Sequence, residues 1–147
     1  MADLTVEQRI TQLQDRLDLQ DLVHRYAQLN DYSETPEELI SLFTDDAVLV
    51  GVFREPATGA AAVRSYAESI IAMRGSVPYR HHVSNILTTV DGDEAFMTAF
   101  FILVYRHAIY EGAVQLSRVH YGNFEFRARR VGDRWLISRR VVRLDPS

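Results

Sequence analysis

The chain is organised around residues 80–90, RHHVSNILTTV, in which two histidines lead into a run rich in β-branched side chains. Valine, isoleucine and threonine favour extended backbone, so this stretch predicts a β-strand that begins near the histidines. A histidine held against an apolar cavity can move a proton at neutral pH. Neighbouring strand residues point to opposite faces, so only one of His81 and His82 would face such a cavity, and a bulge would exchange them.

The residues around this stretch predict further strands. Alternating apolar residues indicate four long strands in the second half of the chain, at residues 81–90, 95–105, 114–127 and 135–143. Turn-forming residues occur at 91–93 and 131–133, with a looser turn at 110–112. An earlier strand is predicted over 47–53, where Gly51 would mark a bulge.

Helix signals are confined to the first half of the chain. Thr5 and Gln8 have the spacing of a capping box, which predicts a helix that begins near Thr5. Its apolar phase shifts near Asp18, which predicts a break or bend there. Pro36 predicts the start of a short helix. The apolar spacing over 60–73 predicts another helix, which Gly75 would end.

Helices followed by a meander of long strands predict an α+β fold, with the helices covering one face of a curved, mainly antiparallel sheet. Several long strands wrapped around helices leave a cavity at the wide end of the sheet, where small ligands commonly bind. Residues 1–147 fit a single domain. The long terminal strands favour association through the sheet face, so a homodimer or homotrimer is expected.

The composition restricts the class of partner. The net charge is −4, and basic residues are spread along most of the chain, which argues against a nucleic acid or an anionic membrane as the partner. The absence of cysteine excludes disulfides, thiolate metal sites and cysteine nucleophiles. The sequence has no membrane-spanning run and no signal-peptide pattern at its start, so a cytoplasmic protein is expected.

Several short motifs occur together in a defined order. They are YAQLND at 26–31, LFTDDAV at 42–48, HHVSN at 81–85, YGN at 121–123 and GDRW at 132–135. In this order and spacing the chain resembles the SnoaL-like branch of the nuclear transport factor 2-like superfamily. Those cone-shaped α+β domains include scytalone dehydratase and bile-acid dehydratases, and the resemblance covers nearly the whole chain.

The resemblance implies particular roles for four residues. Asp31 and His81 stand where the family has its catalytic aspartate and histidine, and Tyr26 stands where bile-acid dehydratases have a tyrosine. Arg143 resembles their substrate-side arginine. These enzymes remove a proton from carbon and expel a β-oxygen without a metal or a nucleotide cofactor. Many relatives carry an acid where this chain has Asn123, so any role of that carboxylate is absent.

The residues themselves leave alternatives open. Asp31 could orient an imidazole across a pocket, or could merely end a helix in a turn. His81 could be the base or a strand-edge histidine with a structural role. Tyr26 could donate a hydrogen bond to a substrate oxygen or fill the core. Arg143 shares strand parity with Trp135, so it would bind a substrate oxygen if that face is interior and form a surface ion pair if it is not.

Aromatic and polar residues of the strands provide candidate substrate contacts. The predicted set is Tyr105, Phe53, Asn85, Trp135 and Arg143, which suits a small, flat, hydrophobic molecule. Strand parity places Phe101, Leu103 and Tyr105 on one face and Phe100, Ile102 and Val104 on the other, without deciding which face is interior. Adjacent histidines on opposite faces cannot share a metal ion, so no metal site is predicted.

Two function classes follow. The first is a lyase of the dehydratase type, or an isomerase, which acts on a small hydrophobic metabolite through an Asp31–His81 dyad and needs no cofactor. The second is a non-catalytic protein of the same fold. It would bind a small ligand, or serve as a scaffold subunit that resembles the β subunit of ring-hydroxylating dioxygenases.

Overall fold

The computed structural model describes residues 3–51, 55–110 and 113–146. The α+β class predicted from the sequence is confirmed, with the helices packed on a curved six-stranded sheet. None of the described helices is both long and apolar enough to cross a bilayer. The elements in chain order are α1 (Val6–Tyr32), α2 (Pro36–Ile40), β1 (Phe43–Val50), β2 (Ala57–Thr58), α3 (Ala60–Ser76), β3 (Tyr79–Asp91), β4 (Glu94–Tyr110), β5 (Ala113–Val131) and β6 (Arg134–Leu144).

Helix α1 begins as predicted and continues further than predicted. Thr5 caps it, and the reciprocal bonds between Thr5 and Gln8 form the expected capping box. The predicted break near Asp18 is wrong, because α1 is one continuous helix from Val6 to Tyr32. The Asp18 side chain accepts a hydrogen bond from the Gln14 side chain one turn earlier, at 2.7 Å. The apolar phase shifts because only the second half of the helix is buried. The apolar residues of the first half are all more than half exposed, namely Val6, Ile10, Leu13 and Leu17.

The other helix and strand boundaries differ from expectation by a few residues. Thr35 caps α2 with Pro36 in its first turn, as predicted. Gly75 does not end α3, which continues through Ser76. Strand β1 begins at Phe43 rather than Ala47, because Phe43 pairs with Ile137 of β6 and is buried.

The sheet has the strand order β2-β1-β6-β5-β4-β3, and β1 pairs with β6 in parallel while the other pairs are antiparallel. The predicted tight turns are present, each with a glycine at positive φ, 60° at Gly92 and 64° at Gly132. Glycine adopts such angles without steric cost. The looser turn predicted at 110–112 falls partly outside the described residues.

Among the register shifts in the sheet, one in β3 and one in β6 change which of the nearby side chains face the interior. In β3, Ser84 pairs with Phe100 and Leu87 with Thr98, and Asn85 adopts a left-handed φ of 54° at this bulge. In β6, Arg139 pairs with Arg127 and Ile137 with Ala128, which leaves Ser138 as the extra residue. An added residue moves every later side chain to the opposite face of the sheet.

One end of the core is closed by polar groups as well as apolar ones. Asp15 of α1 is 7% exposed and accepts hydrogen bonds from Arg130 at 3.0 Å and from the Trp135 indole at 3.1 Å. The Arg130 guanidinium lies 4.3 Å from the centre of the Trp135 ring. These contacts join the middle of α1 to the β5–β6 hairpin.

The close approach of β4 and β6 to Gly122 generates a stability prediction. A Cβ at Gly122 would lie 2.2 Å from the Arg143 carbonyl oxygen and 2.7 Å from the Phe101 ring. Gly122→Ala should therefore lower the free energy of unfolding by about 1–3 kcal/mol, through forced backbone and ring shifts. Chemical denaturation of both proteins measures the difference.

Gly75→Ala is the matched control. Nothing lies within 4 Å of a Cβ at Gly75, and this position is helical. Alanine should raise the stability there by about 0.4–1 kcal/mol, because the unfolded chain loses freedom. A Gly122→Ala protein as stable as the wild type would contradict the packing described here.

Candidate active site

A cavity of about 660 Å³ lies between the helices and the inner face of the sheet. Its volume falls within the range typical of small-molecule sites, about 300–1,000 Å³. Most of its lining is aliphatic or aromatic, including Leu49, Leu103, Phe101 and Phe124. The polar residues that line it are Tyr26, Asn30, Glu55, Ser65, Tyr66, Ser69, Tyr79, His81, Tyr105, Arg118, His120 and Arg140.

His81 lines this cavity and is paired with Asp31, which lies outside the lining. One carboxylate oxygen of Asp31 accepts the His81 backbone N–H at 2.7 Å, and the other lies 2.7 Å from Nδ1 of the imidazole. The side chains are 3% exposed for Asp31 and 10% exposed for His81. Asp31 thus joins the last turn of α1 to the start of β3 through both the backbone and the side chain of His81.

The hydrogen positions on His81 follow from this geometry. An ionised carboxylate only accepts hydrogen bonds, so Nδ1 carries the hydrogen and the neutral ring has its free lone pair on Nε2. Within the described residues no group hydrogen-bonds to Nε2. Aromatic rings surround the imidazole, with centroids 5.6 Å away for Tyr79 and 6.0 Å away for Phe101 and Phe124.

His82 faces away from the cavity, as the alternation of strand residues requires. It lines a separate concavity of about 590 Å³ on the other side of Asp31, together with Arg74 and Arg80. Over the described residues, no cluster of three or more histidine, aspartate or glutamate side chains is arranged to hold a metal ion.

A second polar network lies in the cavity wall and includes Tyr26. Arg140 donates from Nη1 to the Tyr26 hydroxyl at 3.0 Å, and the Tyr26 and Tyr66 hydroxyls are 2.7 Å apart. The Tyr66 hydroxyl also donates to Oδ1 of Asn30 at 2.6 Å. The Asn30 amide is oriented by its own bond from Nδ2 to the Tyr26 carbonyl oxygen, at 2.8 Å.

These contacts determine the direction of each hydrogen bond. Asn30 offers an oxygen to Tyr66, so Tyr66 must donate its single hydrogen there and accept from Tyr26. Tyr26 therefore gives its hydrogen to Tyr66 while it accepts from Arg140. Its hydroxyl lines the cavity without a hydrogen left to offer.

Burial disfavours the ionised form of three tyrosines that line the cavity, Tyr66, Tyr79 and Tyr105. It raises the pKa of the Tyr66 hydroxyl well above its usual value, and raises the pKa values of Tyr79 and Tyr105 as well. Nearby Arg74 and Arg118 act in the opposite direction on Tyr79 and Tyr105, respectively, but burial is the larger effect.

The structure brings some of the predicted substrate contacts into the cavity and leaves others outside. Tyr105 lines it, whereas Phe53 lies outside the described residues. Asn85 is exposed at the β3 bulge. Trp135 is buried against Arg130 and Asp15 at the other end of the core.

Arg143 also lies outside the cavity, and the prediction that it shares a strand face with Trp135 is wrong. The extra residue at Ser138 reverses the parity of β6, so Arg140, Val142 and Leu144 face inward. The Arg143 side chain is 60% exposed and forms a surface ion pair, the alternative that the residues left open, with Glu125 at 3.2 Å.

Sequence reasoning missed Arg140, Asn30 and the polar contacts of Tyr66. The pair Arg139-Arg140 within a strand was an available signal, because consecutive strand residues face opposite sides and one of two arginines must point inward. Arg140 is 6% exposed, whereas its neighbour Arg139 is exposed.

Comparisons with known proteins agree with the fold. The model of the SnoaL-like domain matches residues 11–141. A candidate scytalone dehydratase from Novosphingobium aromaticivorans is 24% identical, with 94% of this chain and 89% of that chain covered and a TM-score of 0.76. A candidate aromatic ring hydroxylase from the same organism is 25% identical, with 92% of each chain covered and a TM-score of 0.73.

A third solved structure has no activity in its name. It is a nuclear transport factor 2-like protein of cystatin-like fold, also from Novosphingobium aromaticivorans, and is 28% identical. All of this chain and 94% of that chain are covered, with a TM-score of 0.74. A comparison with curated proteins finds no match. The names of the structural relatives span different chemistries, so the likeness supports the fold, and the function depends on the residues of the site.

The two-point contact between Asp31 and His81 predicts the tautomer of the imidazole. The ring hydrogen of neutral His81 should reside on Nδ1, as read from ¹⁵N shifts and couplings, with His81→Gln used to assign the signal. In Asp31→Asn, the amide oxygen should accept the backbone N–H, and the NH₂ group should face Nδ1. The hydrogen would then move to Nε2. A wild-type ring that carries its hydrogen on Nε2 would contradict the described contact.

Proposed function

The chain belongs to the SnoaL-like domain family, and from this premise we propose that it is a lyase of the dehydratase type or an isomerase, without a metal or organic cofactor. Its substrate would be a small, largely apolar molecule with an activated C–H bond. The observation that carries the proposal is His81, which lines the central cavity and is paired through Nδ1 with Asp31. An imidazole with one nitrogen held by a carboxylate and the other free is the arrangement that general-base catalysis needs.

In the proposed reaction, Nε2 of His81 takes a proton from carbon next to a carbonyl or similar activating group. The electron pair of the C–H bond moves onto the activating oxygen. In elimination this electron pair returns and expels a β-hydroxyl, which takes the proton from the His81 imidazolium and leaves as water. In isomerisation the imidazolium returns its proton to another carbon. Asp31 keeps Nδ1 as the donor and stabilises the imidazolium that forms.

The oxygen that becomes negative needs a partner, and we assign this role to Arg140 in place of Arg143. The guanidinium lies in the cavity wall and is buried, where an electrostatic interaction is stronger than in water. Tyr26 has no hydroxyl hydrogen to offer, so we assign it a positioning role. It holds Nη1 of Arg140 through its oxygen.

A chromogenic carbon acid tests for the base without knowledge of the natural substrate. In 5-nitrobenzisoxazole, a base removes the C3 proton, the N–O bond breaks, and a nitrile and a coloured phenolate form. The molecule is flat and aromatic, and so suits the cavity. We expect the wild type to accelerate this elimination. His81→Ala and Asp31→Asn should each lower kcat/KM by about a hundredfold or more, because a positioned base contributes roughly 10²–10⁴-fold.

His82→Ala is the matched control, since it removes the adjacent histidine from the opposite face of β3. Its rate should equal that of the wild type, and circular dichroism should show that all the variants fold. Equal rates for the wild type and His81→Ala would remove His81 from the chemistry and favour a ligand carrier.

The second candidate function is that of a scaffold subunit or a self-associating protein. The outer face of the sheet favours this function. Large apolar side chains are exposed there, with Phe100 58%, Tyr121 56% and Ile102 40% accessible. Ile102 and Tyr121 stand opposite each other on β4 and β5, so they form one continuous patch. We propose that a second copy of the chain covers this patch in a homodimer or homotrimer.

Light scattering coupled to size-exclusion chromatography tests the assembly. The wild type should have two or three times the mass of one chain, and Ile102→Glu should reduce it to the single-chain mass, because a charge would be buried without a partner. Leu13→Glu on the exposed side of α1 is the control and should leave the mass unchanged. A wild type that elutes as a single chain, or an Ile102→Glu protein that stays assembled, would contradict this assignment.

A further inference from the structure

Arg140 is a charged side chain in the wall of a cavity that is lined mainly by apolar groups. Only 6% of the residue is exposed. A guanidinium keeps its positive charge at every pH at which a protein remains folded. A buried charge is costly unless hydrogen bonds or an opposite charge replace the water it has lost. The groups around Arg140 therefore indicate what kind of ligand the cavity favours.

The protein groups that contact Arg140 are neutral. Throughout the described residues, no aspartate or glutamate forms an ion pair with it. Nη1 donates to the Tyr26 hydroxyl, and the guanidinium carbon lies 4.5 Å from the centre of the Tyr66 ring. The raised pKa of the Tyr66 hydroxyl, which burial causes, keeps that ring uncharged. The positive charge is supported by dipoles and an aromatic face, without an anion.

Part of the guanidinium has no hydrogen-bond partner. Nε is buried and donates to nothing in the described chain, and only Nη1 has a bond, to Tyr26. Asp31 uses both of its oxygens on His81. Arginine presents its hydrogens in a planar fork that matches two oxygens of one anionic group. The donors that Tyr26 leaves free are therefore suited to a ligand oxyanion.

We infer that the cavity selects ligands that already carry an anionic oxygen, a carboxylate or the oxygen of an acidic phenol or enol, which pairs with Arg140. The apolar part of the ligand then lies against the aliphatic and aromatic lining, with His81 on the same cavity wall. This inference rests on the proposed function only in taking this cavity as the substrate site. It narrows the substrate class from apolar molecules in general to apolar acids.

Matched acid and amide pairs of the same shape test this selectivity. The probes are benzoate with benzamide and 2-naphthoate with 2-naphthamide, titrated by calorimetry near neutral pH. The wild type should bind at least one acid about tenfold to a hundredfold more tightly than its amide, because hydrogen bonds to charged groups are stronger than neutral ones. Equal affinity within each pair, or no binding of either acid at millimolar concentration, would overturn the inference.

Variants on β6 identify the residue responsible. Arg140→Met retains the approximate volume without the charge and should abolish the preference for the acid, while Arg140→Lys should keep part of it. Arg143→Met removes an exposed arginine three positions along the same strand and should change nothing. A preference that survives in Arg140→Met would overturn the assignment to this residue. If Arg140→Met does not fold, the wild-type pairs and Arg140→Lys still decide the result.

Ligand selectivity and catalysis can fail separately. Because His81 is not required to pair with the acid group, His81→Ala should retain the preference for the acid while it loses the elimination rate. A protein that selects acids but shows no base-catalysed elimination would retain this inference and lose the proposed function. A protein that catalyses the elimination but binds acids and amides equally would retain the proposed function and lose this inference.

Discussion

The contact between the Asp31 carboxylate and His81 is the constraint on which the site depends. It joins the C-terminal turn of the longest helix to the start of β3 through both the backbone and the side chain of one residue. A carboxylate is electrostatically unfavourable at a helix C-terminus, and the last turn of α1 contains no basic residue to offset it. The two hydrogen bonds from His81 provide the offset. Asp31 is therefore placed at some cost to the helix, in a position where it orients an imidazole.

The two bulges determine which strand residues reach the cavity. The pleat alternates side chains with a period of two, so a single extra residue exchanges the interior and exterior sets beyond it. In β3 the bulge comes after His81, so it does not change the face of the sheet on which His81 lies. In β6 it comes before Arg140, which turns that arginine inward and Arg143 outward. The polar groups of the cavity thus depend on where each strand is interrupted as well as on residue type.

The sequence predicted the features that local chemistry controls. The capping box at Thr5, the start of α2 at Pro36 and the glycine turns at Gly92 and Gly132 each depend on residues within a few positions of one another, and all were anticipated. Residue types alone left the Asp31–His81 pairing open, because fifty positions separate the two residues. The spacing shared with a known family pointed to it. The Ser138 bulge had no local signal, since it arises from the register between β6 and its neighbours.

The arrangement of charges explains why the arginine is held by neutral groups. If a carboxylate paired with Arg140, the positive charge of the guanidinium would be largely cancelled. The guanidinium would then attract a substrate oxygen only weakly. If that carboxylate were Asp31, His81 would lose the partner that keeps its hydrogen on Nδ1. Tyr26, Tyr66 and Asn30 avoid both outcomes, because they fix the guanidinium through oxygens and a ring that carry no net charge. The base keeps its orienting carboxylate, and the cation remains available for an oxygen of the ligand.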